Sequence, residues 1–259
     1  MIDDIKNFFL SNKGPRYWWY EYNQQLPLFF RFYTSEQLLC LKEWYIETDK
    51  LNENGEIGPA ECNISLMSML TGLIGGNPKG NNKILQLGHH CGYSSLMLGF
   101  IYQLINKPNS LYSVDIDNNL TNITQSWIDK AQLNNYVKLE TNDSIHPNVI
   151  GNALEYFGED KIDVLFIDSS HKYEHTKKEL ELYFPYLRKN GFIFLHDTSL
   201  QAQISANEKD TGVKLAFQEF CEAHKDEIEH ININKNIYGV SLDDILYQDG
   251  CGLGIVQKI

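Results

Sequence analysis

A chain of 259 residues is the length of one α/β domain with a modest extension, and 42% hydrophobic residues are enough to fill its core. A formal net charge of −12 argues against a nucleic-acid backbone as the main partner, because phosphate binding needs a basic surface, although one local pocket can still oppose the net charge. No run of about 18 apolar residues is present, so no membrane-spanning helix and no membrane partner are expected.

The opening MIDDIKNFFLSNKG puts acids before a short apolar run and lacks the basic start and longer apolar core of an export signal, so a cytoplasmic location is expected. The five cysteines are odd in number, widely spaced and without a CxxC pair, which fits a reducing compartment and indicates neither a zinc site nor a disulfide framework. Residues 1–58 are dense in aromatics, among them Tyr17, Trp18, Trp19, Tyr20, Trp44 and Tyr45. These rings read first as packing onto the main domain or onto a second subunit, and second as a lid or acceptor pocket. Residues 51–59 are a turn-rich connection, so the chain divides into an aromatic extension, 1–58, and a main domain, 59–259.

From there strands and helices alternate. Lys83–Leu87 predicts a strand ending at Gly88, Tyr93–Ile105 a helix, Ser110–Ile116 a strand and Leu120–Leu133 a helix. Tyr136–Thr141 predicts a third strand, Val149–Phe157 a helix, and Ile162–Asp168 a nearly continuous apolar strand. Tyr173–Leu187 predicts an amphipathic helix with Leu180, Tyr183, Phe184 and Leu187 on one face. Gly191–His196 follows as a strand and Val213–His224 as a helix, with Ile228–Ile233 and Gly252–Gln257 as final strands. Such alternation implies a doubly wound, mostly parallel sheet covered on both faces, with ligands at the carboxyl ends of its strands.

Those strand ends carry the candidate chemistry. After the first strand comes Gly88-His89-His90-Cys91-Gly92-Tyr93-Ser94, running straight into a helix whose free N–H groups favour an anionic or polar ligand. Its Gly-x-x-x-Gly spacing differs from the GxGxxG of nicotinamide dinucleotide sites. Asp115 at the end of the second strand is placed to accept ribose hydroxyl protons, whereas Asp117 reads better as a helix cap. Asp143 after the third strand reads equally as an acceptor for an adenine amine or as a cap. The fourth and fifth strands deliver Asp168 with His171, and His196 with Asp197. Two carboxylates beside imidazoles on adjacent strand ends make a hard-cation or acid–base site.

KILQLGHHCGYSSLML, LYSVDID, IDVLFIDSSHKYEHTKKELELYFPYLRKNGFIFLHDT and the terminal GLGIVQK together resemble class I S-adenosylmethionine-dependent methyltransferases. Within that class they are most similar to small-molecule O-methyltransferases related to the catechol and macrolide-sugar enzymes. The resemblance covers about residues 58–259 and implies a seven-stranded sheet whose last strand is antiparallel. It implies S-adenosyl-L-methionine as cofactor, bound beside Gly88, Gly92, Tyr93, Ser94, Asp115 and Asp143, with Asp168 nearby and Glu61 toward the methionine end. It also implies magnesium on Asp168 and Asp197, with Thr198 where a third, amide ligand often stands, and His171 where catechol-type enzymes place a lysine base. His196 is a further catalytic candidate in its place beside these acids. Gln86 departs from the acid that usually precedes the first glycine. The implied activity is methylation of a hydroxyl on a small-molecule acceptor, saccharide or natural-product intermediate. The alternatives are N-methylation of a small amine or a non-catalytic nucleoside-binding scaffold of the same fold. A homodimer through the aromatic extension is compatible with the sequence.

Overall fold

The computed structural model describes residues 2–14, 16–58, 64–77, 79–80, 82–205, 212–241 and 244–259. Four helical segments come first: α1 (Ile2–Ser11), α2 (Trp18–Asn23), a 3-10 turn (Leu28–Phe32) and α3 (Ser35–Glu53). Thr34 starts α3 with a capping box, its hydroxyl accepting from the Gln37 amide while the Gln37 side chain accepts from the Thr34 N–H. After α4 (Ile64–Gly76) come β1 (Ile84–Leu87), α5 (Tyr93–Leu104), β2 (Leu111–Asp115), α6 (Asn118–Lys130) and β3 (Val137–Thr141). Then follow α7 (Asn148–Phe157), β4 (Ile162–Ile167), α8 (Tyr173–Tyr183), β5 (Leu187–His196), α9 (Leu200–Ser205), α10 (Gly212–Ala223), β6 (Ile228–Ile233) and β7 (Leu253–Lys258).

The strands form one sheet in the order β3-β2-β1-β4-β5-β7-β6, parallel except for β7, which runs antiparallel to both β5 and β6. The order reverses between β1 and β4, which pair from Ile84↔Val164 to Leu87↔Ile167. That reversal opens a crevice at the carboxyl ends of these two strands. All four residues of β1 are buried, as a central strand covered on both faces requires.

The sequence predicts one helix from Tyr173 to Leu187, but the helix stops at Tyr183. Pro185 lies in a 3-10 turn, Phe184–Tyr186, because it has no N–H to continue the ladder, and Leu187 already pairs with Ile162 in the sheet. The fifth strand therefore starts before the expected Gly191.

The N-terminal aromatics pack onto α5 of the same chain. Trp44, fully buried, donates its indole N–H to the Cys91 carbonyl at 2.7 Å, and the Tyr33 hydroxyl donates to the Met97 carbonyl at 3.1 Å. Phe9 stacks against Tyr20, Phe30 and Tyr45, and Tyr45 meets Tyr93 at the start of α5. The rings continue the core between α5 and the sheet. Each edge-to-face pair adds roughly 0.5–1.5 kcal/mol beyond the area it buries.

Candidate active site

The loop after β1 is shaped by contacts that exclude side chains. Gly88 has φ +88°, and a Cβ there would lie 2.2 Å from the Asp168 carbonyl oxygen. Gly92 has φ +90°, and its Cβ would lie 2.6 Å from the Thr124 methyl. Both glycines are thus demanded by the fold itself, the first letting β1 and β4 close on each other. Gln86, fully buried, donates to the Gly88 carbonyl and to Ser94 and accepts from Ser95, tying the strand end to α5. Asp115 faces this loop: one carboxylate oxygen accepts the N–H groups of His89 and His90 at 3.1 and 2.8 Å, and the other accepts from Asp117. Asp117 caps α6 through the Asn119 and Leu120 amides.

The two loop histidines differ in role. His89 is 2% exposed and lies between the Ser113 and Thr121 hydroxyls at 3.2 and 3.0 Å. Burial pushes its pKa down to about 4 against the pull of Asp115, so it is a neutral strut between β2 and α6. His90, at φ +45°, lines a cavity, and its buried Nδ1 has no hydrogen-bond partner among the described residues. Burial also lowers its pKa, opposed by Asp115, Asp168 and Asp117.

That cavity, about 940 Å³, lies over the carboxyl ends of β1, β2, β3, β4 and β5. Gly88, Ser94, Asp115, Asp143, Asp168 and His171 all line it, as do His196 and Asp197. At its far end Asp143 accepts from the Ile145 amide and stands 3.8 Å from His175. His175 Nε2 lies 2.8 Å from the Ser144 hydroxyl and 3.3 Å from Glu179, one helical turn away. Glu179 is fully buried and also accepts from Ser169, so it joins α8 to the loops after β3 and β4. The Glu179 hydrogen bond raises the His175 pKa, against burial.

At the ends of β4 and β5 the charges concentrate. His196 Nδ1 lies 3.3 Å from both Asp168 Oδ1 and Asp197 Oδ2, and its Nε2 lies 3.0 Å from Asp249 Oδ2. Burial opposes its charge, but the Asp197, Asp168 and Asp249 carboxylates outweigh burial and raise its pKa well above the usual histidine value. Asp197, itself buried and at φ +61°, is held down to about 2, burial being outweighed by His196, with His171 and Cys251 adding to the pull. His171 Nε2 is 3.0 Å from the same Asp197 oxygen, on a half-exposed ring.

Donor atoms of Asp168, His171 and Asp197 all lie within 4.8 Å of one another, and those of His196, Asp197 and Cys251 form a second such set. Two carboxylates and an imidazole suit a hard divalent ion such as magnesium or manganese. Thr198 does not join them. It is fully buried and donates its hydroxyl to Asn232 Oδ1 at 3.0 Å, on β6, because the residue after Asp197 points to the other side of the strand end. The side chain of Tyr93 also departs from expectation: it is 1% exposed, packs against Trp44 and Tyr45, and does not reach the large cavity. Gly92 is the N-cap of α5 and is not part of the cavity lining. Glu61 lies outside the described residues.

Sequence reasoning passed over Asp249 and Cys251. They precede β7, and His196 pairs with Leu253 in the antiparallel register. The start of β7 therefore lies at the end of β5, a placement that the antiparallel last strand already implies. A second cavity of about 300 Å³ opens there, with Trp18, Trp19, Tyr45 and Gln201 among its walls. His196 and Cys251 line both cavities. No helix among the described residues is long and apolar enough to cross a membrane.

Comparison with known proteins finds likenesses in sequence and in fold. Residues 85–198 match the family described as a methyltransferase domain. An O-methyltransferase from Bacillus cereus, solved with S-adenosylhomocysteine, superposes with a TM-score of 0.60 at 16% identity, over 85% of this chain and 90% of that one. TomG from Streptomyces achromogenes, an O-methyltransferase of tomaymycin synthesis solved with S-adenosylmethionine, gives 0.56 at 16% identity over 85% and 89%. The S-adenosylhomocysteine-bound methyltransferase PaMTH1 from Podospora anserina gives 0.56 at 12% identity over 100% and 95%. A search of curated proteins finds no match.

Proposed function

We propose that this chain, whose residues 85–198 match a family described as a methyltransferase domain, is a class I, S-adenosylmethionine-dependent enzyme that methylates a hydroxyl group of a small molecule, with His171 as general base. The observation that carries this reading is the joining, in one cavity, of Gly88, His90, Ser94 and Asp115 with Asp168, His171 and Asp197. The net charge of −12 supports a small-molecule acceptor over a nucleic acid.

The sulfonium cofactor supplies an electrophilic methyl group, so the chain's own task is to align an acceptor and remove its proton. In the displacement the acceptor oxygen bonds to the methyl carbon as the carbon–sulfur bond breaks, and the sulfur leaves as a neutral thioether. The hydroxyl proton passes to His171. In its neutral form His171 donates Nε2–H to Asp197, which leaves Nδ1 as the proton acceptor and fixes the ring. Asp115 and the backbone amides at the start of α5 would hold the nucleoside, and His90 Nδ1 would offer a further polar contact. Asp168 and Asp197 would hold a magnesium ion beside His171, and the ion would lower the acceptor hydroxyl's pKa and fix its orientation.

His171→Ala should lower kcat roughly 100-fold or more while leaving S-adenosylhomocysteine affinity within about threefold. Calorimetric titration of metal-stripped protein, repeated with magnesium, reads that affinity. A variant that loses cofactor affinity in proportion to turnover would remove His171 from the base role.

A further inference from the structure

We propose that the second cavity is the acceptor site and that it takes a compact, uncharged, hydroxylated ring, not an anionic or carrier-linked substrate. This deepens the methyltransferase reading and rests on it. Three observations converge.

The first is position. His196 and Cys251 line both cavities, so the two spaces share a wall of side chains that faces Asp168 and Asp197. A hydroxyl placed against that wall lies beside the acid–base cluster while the rest of its molecule stays in the smaller space.

The second is shape and surface. At about 300 Å³ the cavity stands at the small end of ligand sites, room for a ring with short substituents and not for a nucleotide or a pantetheine arm. Trp18, Trp19, Tyr20 and Tyr45 from the N-terminal extension and Tyr93 from α5 contribute to its walls. Flat aromatic faces of this kind stack on another ring face, whether an arene or the C–H face of a pyranose. Gln201 adds a side-chain amide that can bond a second hydroxyl.

The third is charge. Asp249 is part of the lining, and Asp168 and Asp197 stand behind His196. Arg16, also in the lining, is already paired with Asp49, bonded to Thr48 and laid over the Trp44 and Tyr45 rings, and the charged His196 is held by its three acids. A phosphate or carboxylate entering here meets acids without an uncommitted counter-charge among the described residues, which disfavours it.

The test uses the full chain saturated with S-adenosylhomocysteine and three probes: catechol, methyl glucopyranoside and phenyl phosphate, each followed by ligand-observed NMR and calorimetry. At least one neutral ring should bind at least tenfold more tightly than phenyl phosphate, and the better of the two identifies an arene or a sugar acceptor. Trp19→Ala should weaken that probe tenfold or more. Val240→Trp, at an exposed position on the cavity rim, should weaken it about fivefold without endangering the fold, with S-adenosylhomocysteine affinity unchanged in both variants. Preference for phenyl phosphate, absence of binding by either neutral ring, or neutral-ring affinity indifferent to both substitutions would overturn the proposal. Failure of the methyltransferase reading looks different: S-adenosylhomocysteine itself would not bind, whatever the probes do.

Discussion

His89 and His196 are two shielded histidines at the same end of the sheet, and their surroundings drive them to opposite states. His89 is wedged between two hydroxyls with one carboxylate nearby, and burial wins, pushing its pKa down to about 4. His196 is shielded to 13% side-chain exposure yet faces Asp168, Asp197 and Asp249, and the three acids win. Burial decides the charge of an imidazole only where few carboxylates oppose it. The loop after β1 is consequently a neutral cradle, built from backbone amides, glycines and a fixed His89. The ends of β4 and β5 are an ionic cluster. A nucleoside needs the first and proton removal needs the second.

The largest effect should come from removing the cation of the cluster. His196→Leu leaves three acids facing one another without the cation that lies between them, which should cost about 3–5 kcal/mol in urea unfolding. The pH dependence has a definite sign. His196 has a raised folded pKa, so its contribution is complete below its ordinary value of about 6.5 and is lost as pH rises through the raised value. Asp197 is held at about 2, so its contribution is complete above the ordinary carboxylate range and is lost as pH falls toward 2. The wild-type advantage should therefore be full between about pH 4 and 6.5 and shrink on acidification as the carboxylates protonate. A deficit that stays constant from pH 6 to pH 3 would break the distinction between the two histidines.

On the cradle side Gly88→Ala comes next, at about 3 kcal/mol or more. It adds a left-handed backbone penalty to a Cβ driven against the Asp168 carbonyl, and neither partner is a flexible side chain that can give way. His89→Leu should cost about 1–3 kcal/mol, since Ser113 loses its buried partner, and the cost should be the same at pH 5.5 and pH 8 because His89 is neutral throughout. Titration of His89 in that range, followed by the ring protons in NMR, would contradict its role as an uncharged strut.

Much of this was readable in the sequence because period and turn chemistry agree. The apolar run 162–167 and the alternation around it place β4 and β5 side by side, and that alone brings Asp168 to Asp197. What was not readable depended on which way a side chain leaves the strand end. Thr198 follows Asp197 directly, yet the left-handed turn at Asp197 sends it to Asn232. Asp249 is 53 residues from His196 in sequence and meets it only because β7 returns antiparallel. Tyr93 opens the helix after β1, but its ring packs against Trp44 and Tyr45 of the aromatic extension and not into the large cavity. Local pattern supplies the elements, and long-range packing decides which side chains they hand to the site.

The smallest effect tests whether the extension serves the cradle or only covers it. Trp44 donates to the carbonyl of Cys91, in the middle of the loop that Asp115 holds from the other side through the His89 and His90 amides. Trp44→Phe keeps an aromatic ring in the buried site and removes that one donor, so the loss of stability should be about 1–2 kcal/mol. If the loop is clamped from both sides, freeing one side also costs cofactor affinity, and S-adenosylhomocysteine should bind about three- to tenfold more weakly. The acid limb of the stability profile, set by Asp197 and His196, should not move, because neither residue touches the indole. Weaker folding with unchanged cofactor affinity would assign the extension to packing alone, and a shifted acid limb would mean that the cradle and the ionic cluster are not independent.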